Sequence, residues 1–160
     1  MRVLMALFLF PAFLLADRLP DNLIIQGKAE TVLCGIDVTN SHDSDLLKRF
    51  GKPVIYLKYP QTVVDAAEIT WNVEGSKIHV YINGDYIAYA VEVSGKASAI
   101  TKTGRGLALG QTVTDLERIY GKKYRRRGSR ITLQWEDETE LRIKIANGLI
   151  VSIELVLSQA

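Results

Sequence analysis

Cys34, His42 and His79 carry the only thiol and the only imidazoles in the 160 residues. A Cys–His nucleophile pair needs the two side chains in contact and a third group that orients the base. Asp37, Asp43 and Asp45 surround His42 and would offer a metal mixed oxygen and nitrogen donors. No spacing around them matches a zinc or calcium signature. The expectation is therefore a buried Cys34 in a strand, a solvated His42 in a loop and a surface His79. Glu136, Asp137, Glu138 and Glu140 put four carboxylates within five residues. General acid–base work needs one of them held at a raised pKa in a concave, partly dry site. At a predicted hairpin tip they read as a solvated turn. No catalytic residue, metal or cofactor is expected, and an enzyme is the least favoured reading.

Binding chemistry has two better candidates. Lys122, Lys123, Arg125, Arg126, Arg127 and Arg130 place six basic residues in nine. Such a segment suits lipid head groups, anionic glycans or an acidic protein. The competing reading is internal neutralisation by the acidic stretch that follows, in which directly opposed opposite charges are worth only ~0.2–1 kcal/mol. Tyr81, Tyr86 and His79, flanked by Ala88 and Ala90, offer aromatics beside small residues, as a protein-binding sheet face would. Covering of that face by another part of the chain is the alternative. Trp71 and Trp135 read as core.

These side chains need elements to hold them. Residues 107–121 read as a short strand, a glycine turn and one capped helix. Thr112 and Asp115 supply the cap, Leu116, Ile119 and Tyr120 the apolar stripe, and Gly121 the stop. Residues 45–50 read as an earlier short helix, ended by Gly51 and Pro53. Strands are expected over 23–26, 31–36, 54–59, 68–73, 77–82, 85–91, 97–101, 130–135, 140–145 and 149–157. Asn83-Gly84 predicts a two-residue turn that sets Val80 opposite Ile87 and Ile78 opposite Tyr89. Ala146-Asn147-Gly148 predicts a three-residue loop, setting Ile145 opposite Leu149 and Ile143 opposite Val151.

Length and composition fit one folded domain with a real core, 48% hydrophobic and 24% charged. A formal net charge of +2 gives no argument for nucleic acid. Residues 3–15 form an apolar run behind Met1-Arg2, too short for a comfortable transmembrane helix, and Ala16 closes it. A secretory signal peptide over 1–16 is expected, cleaved after Ala16. Leu14 fits the cleavage site poorly, so an uncleaved anchor stays open. The mature chain should have no membrane span and a periplasmic or secreted location. With one cysteine no internal disulfide can form.

Gly51 and Gly121, Trp71 and Trp135, and Asn83-Gly84 and Asn147-Gly148 recur in the same order. The expected fold class is α+β: two tandem repeats, each one short helix plus about four antiparallel strands, helices packed on one sheet face. The boundaries are 1–16 signal peptide, 17–30 N-terminal extension, 31–98 repeat 1 and 99–160 repeat 2. The run Gly104-Arg105-Gly106-Leu107-Ala108-Leu109-Gly110-Gln111-Thr112, continuing to Tyr120-Gly121, a Trp-bearing strand and an Asn-Gly hairpin, resembles the BLIP-like tandem-repeat family. That family includes the β-lactamase inhibitor proteins and the BamE/SmpA-type envelope lipoproteins. The resemblance implies an exported protein that binds other proteins or the envelope without catalysis. This chain lacks a lipobox cysteine and the disulfide pair of the inhibitors. The expected partners are an envelope or secreted protein, or an anionic surface, and no nucleic acid.

Overall fold

The computed structural model describes residues 19–60 and 65–157. The expected signal segment lies outside the described residues.

Among the described residues two helices of eight residues each form, the second where its cap and glycine stop predict it and the first starting at Asp43, two residues ahead of the expected 45–50. Helix α1 (Asp43–Phe50) starts after His42 and stops at Gly51, whose N–H donates to Leu47 O. Helix α2 (Val113–Tyr120) carries a full capping box. Asp115 N–H donates to Thr112 Oγ1 at 3.3 Å, and Thr112 N–H donates to Asp115 Oδ2 at 3.0 Å. Each helix start docks on the tip of a hairpin, through bridges between His42 and Ile87 and between Thr112 and Leu149.

The rest is sheet. A two-stranded ribbon joins β1 (Val32–Leu33) to β2 (Ile36–Asp37). The main sheet holds β3 (Ile55–Lys58), β4 (Asp65–Val73), β5 (Ser76–Asn83), β6 (Ala88–Gly95), β7 (Arg125–Arg127), β8 (Arg130–Gln134), β9 (Glu140–Ala146) and β10 (Leu149–Val156). Its order is β3-β4-β5-β6-β10-β9-β8-β7, antiparallel throughout. One face is apolar. Ile69, Trp71, Ile78, Val80, Val91, Val93, Leu133, Leu141, Ile143, Ile153 and Leu155 are all buried in a single core. Each such side chain contributes about 1.5–3 kcal/mol by leaving water.

The expected fold class is overturned. Among the described residues eight strands make one continuous antiparallel sheet, and helix is a minor component. The molecule is mostly sheet, not two α+β repeats with helices as the packing layer. The reason is geometric. A helix of eight residues spans about 12 Å and cannot cover such a sheet. Helix α1 contributes Leu46 to the core, and α2 contributes Leu116 and Tyr120. Much of the remaining cover comes from Leu33, Ile36 and Val38 and from Leu107 and Leu109, in or near irregular chain.

Both predicted hairpin registers are also corrected. At β5–β6 the loop has three residues, Gly84-Asp85-Tyr86, with Tyr86 at φ +63° and Asn83 paired with Ile87 through the backbone. Asn83 Oδ1 accepts from the N–H groups of Asp85 and Ile87. A bulge at Tyr89 then sets Tyr81 opposite Ala90 and Val80 opposite Val91. At β9–β10 the turn has two residues, Asn147 and Gly148, both at positive φ, and a bulge between Ile150 and Ser152 sets Ile143 opposite Ile153 instead of the expected Val151. The strand expected over 23–26 is a single bridge from Ile25 to Trp135 behind a 3-10 turn (Asp21–Leu23). The strand expected over 97–101 is a turn held by Thr101 Oγ1 and Ser98. That expected over 31–36 is split by the Cys34-Gly35 turn, both residues at positive φ.

A candidate binding face

The sheet face opposite the core carries the polar chemistry, and the registers place its side chains in transverse rows. One row crosses all eight strands: Ile55, Thr70, His79, Glu92, Glu154, Arg142, Thr132 and Arg125. The next runs Leu57, Glu68, Tyr81, Ala90, Val156, Glu140 and Gln134. A third, on the other side of the first, runs Asn72, Lys77, Ser94, Ser152, Lys144, Arg130 and Arg127.

Two places in these rows oppose like charges directly. Glu92 and Glu154 face each other across β6 and β10. Arg127, Arg130 and Lys144 face one another across β7, β8 and β9. Directly opposed like charges destabilise a sheet. Burial pushes the Glu154 carboxyl above its ordinary range, Arg142 opposes that shift, and Glu92 adds to it. Arg142 reaches Glu154 Oε2 through Nη1 at 3.4 Å and Glu140 Oε2 through Nε at 2.8 Å. Ser152 Oγ donates to Glu92 Oε1 at 3.2 Å.

The corner near β3 is aromatic and apolar. His79 and Tyr81 meet edge to face at 4.5 Å, and Tyr81 and Tyr89 lie 6.1 Å apart. His79 Nδ1 shares a hydrogen bond with Thr70 Oγ1 at 2.8 Å, and its Nε2 lies 3.3 Å from Glu68 Oε2 without hydrogen-bond geometry. Burial lowers the His79 pKa, against the pull of Glu68. The far end of the second row is partly covered: Leu19, itself buried, donates its N–H to Gln134 Oε1 at 2.8 Å.

Sequence-predicted residues fall into place unevenly. His79 and Tyr81 share this face. Tyr86 does not: it sits at the hairpin tip, stacked on His42 at 6.2 Å, and Ala88 is buried on the core side. Arg125, Arg127 and Arg130 align with the open face by register, whereas Arg126 pairs opposite core-facing Ile131 and sends Nε to Gly128 O. Lys122 lies 3.8 Å from Glu117, and Lys123 is exposed beyond the helix end. The acidic turn 136–138 lies at the opposite end of β8 from the Arg127–Arg130 turn, so it does not sit across the hairpin from the basic segment. Glu92, Glu154, Arg142, Lys144 and Tyr89 were missed. Their signal was the alternation in Val91-Glu92-Val93, Leu141-Arg142-Ile143-Lys144 and Ile153-Glu154-Leu155.

Three other places were candidates for chemistry. Cys34 is buried, and burial pushes its thiol up to about 12 despite Arg49 nearby. A cleft of about 250 Å³ lined by Cys34, Arg49, Lys102 and Gly104 lies beside it. The Arg49 guanidinium there is engaged by Cys34 O at 3.0 Å and by Gly35 O, and a Cβ on Gly35 would collide with it. His42 Nδ1 pairs with Asp43 Oδ1 at 3.1 Å, and among the described residues no group of three His, Cys, Asp or Glu is arranged to hold a metal. Glu30 is a buried carboxylate with its oxygens engaged: Oε1 accepts from Val32 N–H, and Oε2 from Arg105 N–H at 3.1 Å and Tyr120 O–H at 2.6 Å. It ties three separated segments together. Trp71 and Trp135 are both buried, Trp71 donating Nε1–H to Gly51 O at 3.0 Å. No helix among the described residues is long and apolar enough to cross a membrane.

No family model and no curated protein matches this chain. Among solved structures, a DUF4309 family protein (YjgB) from Bacillus subtilis is similar at 13% identity, with a TM-score of 0.49, over 78% of this chain and 83% of that one. The likeness is too remote to bear on what this chain does.

Proposed function

We propose that this chain is an exported, non-catalytic protein-binding module of the bacterial cell envelope, and that it binds through the open sheet face. One observation carries the reading: that face sets like charges directly opposite each other at Glu92 and Glu154 and at Arg130 and Lys144. Each opposition costs stability, of the order of 0.2–1 kcal/mol. A partner presenting the opposite pattern would recover that cost, and the corner of His79, Tyr81 and Tyr89 would supply the apolar anchor. The resemblance of residues 104–121 to exported binding proteins points the same way.

A second reading is favoured by the cationic row alone. Arg127, Arg130 and Lys144, with Lys122 and Lys123 nearby in the chain, would hold the protein on an anionic envelope component, lipid or glycan.

The test is a cross-linked pull-down from the native envelope with three proteins: the wild type, Glu92→Lys/Glu154→Lys, and Arg127→Glu/Arg130→Glu/Lys144→Glu. Melting curves would establish that all three are folded. One protein captured by the wild type and lost from both variants supports the module. Loss only from the arginine variant, with retention of the wild type on anionic vesicles that salt abolishes, selects the second reading. Capture indifferent to both variants removes the face from consideration. A turnover activity lost in Cys34→Ser or His79→Ala would replace both readings with an enzyme.

A further inference from the structure

The two edges of the eight-stranded sheet are built differently. Edge strand β7 is Arg125-Arg126-Arg127, and any antiparallel pairing with its own copy would set arginine against arginine. Charge of that kind is how natural sheets guard an edge. Edge strand β3, Ile55-Tyr56-Leu57-Lys58, has no such guard over its first three residues. Val54 before it is 60% exposed, Ile55 44% and Leu57 50%. Among the described residues the other large hydrophobic side chains so exposed are Tyr86 and Leu149, each at a hairpin tip. The exposed apolar surface is thus concentrated on one short edge.

We propose that β3 is a self-association edge, pairing antiparallel with β3 of a second copy about a twofold axis at Tyr56. The argument for a copy, rather than an unrelated strand, is self-complementarity. A twofold at Tyr56 sets Ile55 opposite Leu57 of the partner twice over. It also sets Val54 opposite Lys58, so no like charges oppose. Because Ile55 and Leu57 share the open face with Thr70 and Glu68, the four aliphatic side chains would close into one apolar patch. A shift of the axis by one residue toward the C-terminus opposes Tyr56 to Lys58 and leaves Ile55 without an apolar cross-strand partner within the strand. Pro53 and Pro60 bracket the segment and cannot donate to a ladder, which confines pairing to residues 54–59. The interface is isologous and closes at two copies, because the other edge of each sheet is β7. It joins the open faces of two copies into a wider one, and it stands whether or not those faces bind a protein.

Four or five residues of pairing make a weak dimer, with dissociation expected in the range of tens to hundreds of micromolar. Sedimentation equilibrium on the purified full chain, across that concentration range, is the test. The wild type is expected to dimerise and Leu57→Lys to stay monomeric with an unchanged melting temperature. Tyr56→Cys reads the register directly: a residue on the twofold faces its own copy and forms an intermolecular disulfide, visible on a non-reducing gel. Val54→Cys alone should not link, whereas Val54→Cys combined with Lys58→Cys should. A wild type that is monomeric throughout overturns the proposal. So does a dimer that survives Leu57→Lys, since its contact would lie elsewhere. If Leu57→Lys fails to fold, the cysteine pattern decides alone: linkage of Val54→Cys to itself, or none in any variant, overturns the twofold at Tyr56.

Discussion

Replacing Glu154 with glutamine should stabilise the protein at neutral pH and cease to do so in acid. Glu154 opposes Glu92 across β6 and β10, and its carboxyl lies above the ordinary value of 4.5, chiefly because it is buried. A raised carboxyl means that the folded chain holds the proton more tightly than the unfolded chain. Its contribution is therefore full below the ordinary value and is lost as pH rises through the folded one. Above that window the native state carries the ionised pair as a standing penalty. A neutral amide at this position would remove the repulsion, worth about 0.2–1 kcal/mol for directly opposed charges. It would also remove a long contact to Arg142, but Arg142 keeps Glu140 at 2.8 Å and is not orphaned. The expected gain is about 0.5 kcal/mol at pH 7–8, or roughly one to two degrees in melting temperature. At pH 4 the gain should vanish. Urea unfolding of the wild type, Glu154→Gln, Glu92→Gln and the double variant at both pH values gives the coupling energy of the pair. A destabilised Glu154→Gln at pH 8, or a cycle showing attraction between positions 92 and 154, would refute the reasoning and make Arg142 the dominant neighbour.

Three further outcomes follow from the geometry. His79 should titrate below 6.5 by NMR, so any stability tied to it is lost as pH falls below that ordinary value; Glu68→Gln should lower it further, since Glu68 supports the charged form. Trp71→Phe should cost about 1 kcal/mol more than Trp135→Phe in chemical denaturation, because Trp71 Nε1–H donates to Gly51 O whereas Trp135 Nε1 is buried without a partner. Thr112→Ala removes one half of the α2 capping box and should cost about 1 kcal/mol, read as a lower unfolding midpoint with an unchanged denaturant slope.

Local signals in the chain were legible where one residue type decides the outcome. Thr112 with Asp115, and Gly51 and Gly121 at positive φ, mark the helix ends. The alternation in β5 places His79 and Tyr81 opposite the core. Register was not legible, because it depends on bulges that leave no mark in the alternation. Asn83-Gly84 has the composition of a two-residue turn and opens a three-residue loop, since Asn83 spends its side chain on the N–H groups of Asp85 and Ile87. Asn147-Gly148 makes the tight turn instead, and the bulge after Ile150 moves the register the other way, so that Ile143 meets Ile153 two residues beyond the Val151 the alternation suggested. Tyr89 changed faces for the same reason. The fold class was misread because the cover over the core draws on residues 33–38 and 107–109, whose apolar side chains have no helical period to announce them. Glu92 and Glu154 became a pair only through the contact of β6 with β10, strands far apart in the chain.

That same contact governs the order in which the molecule can be assembled. Among the described residues β10 is the last strand in sequence, and it lies in the middle of the sheet, between β6 and β9. A chain delivered amino end first would have β3 to β6 in hand while β6 still presented a bare flank. It would also have β7 to β9 in hand with nothing to join them to β6. Neither group can be completed until the final strand slots between them, so sheet closure waits on a long-range event of the slow kind. During that wait β6 and β9 are open edges in addition to β3 and β7, and the finished molecule never shows them. Conditions or helpers that shield β6 during synthesis would therefore raise the yield of folded protein without changing its stability.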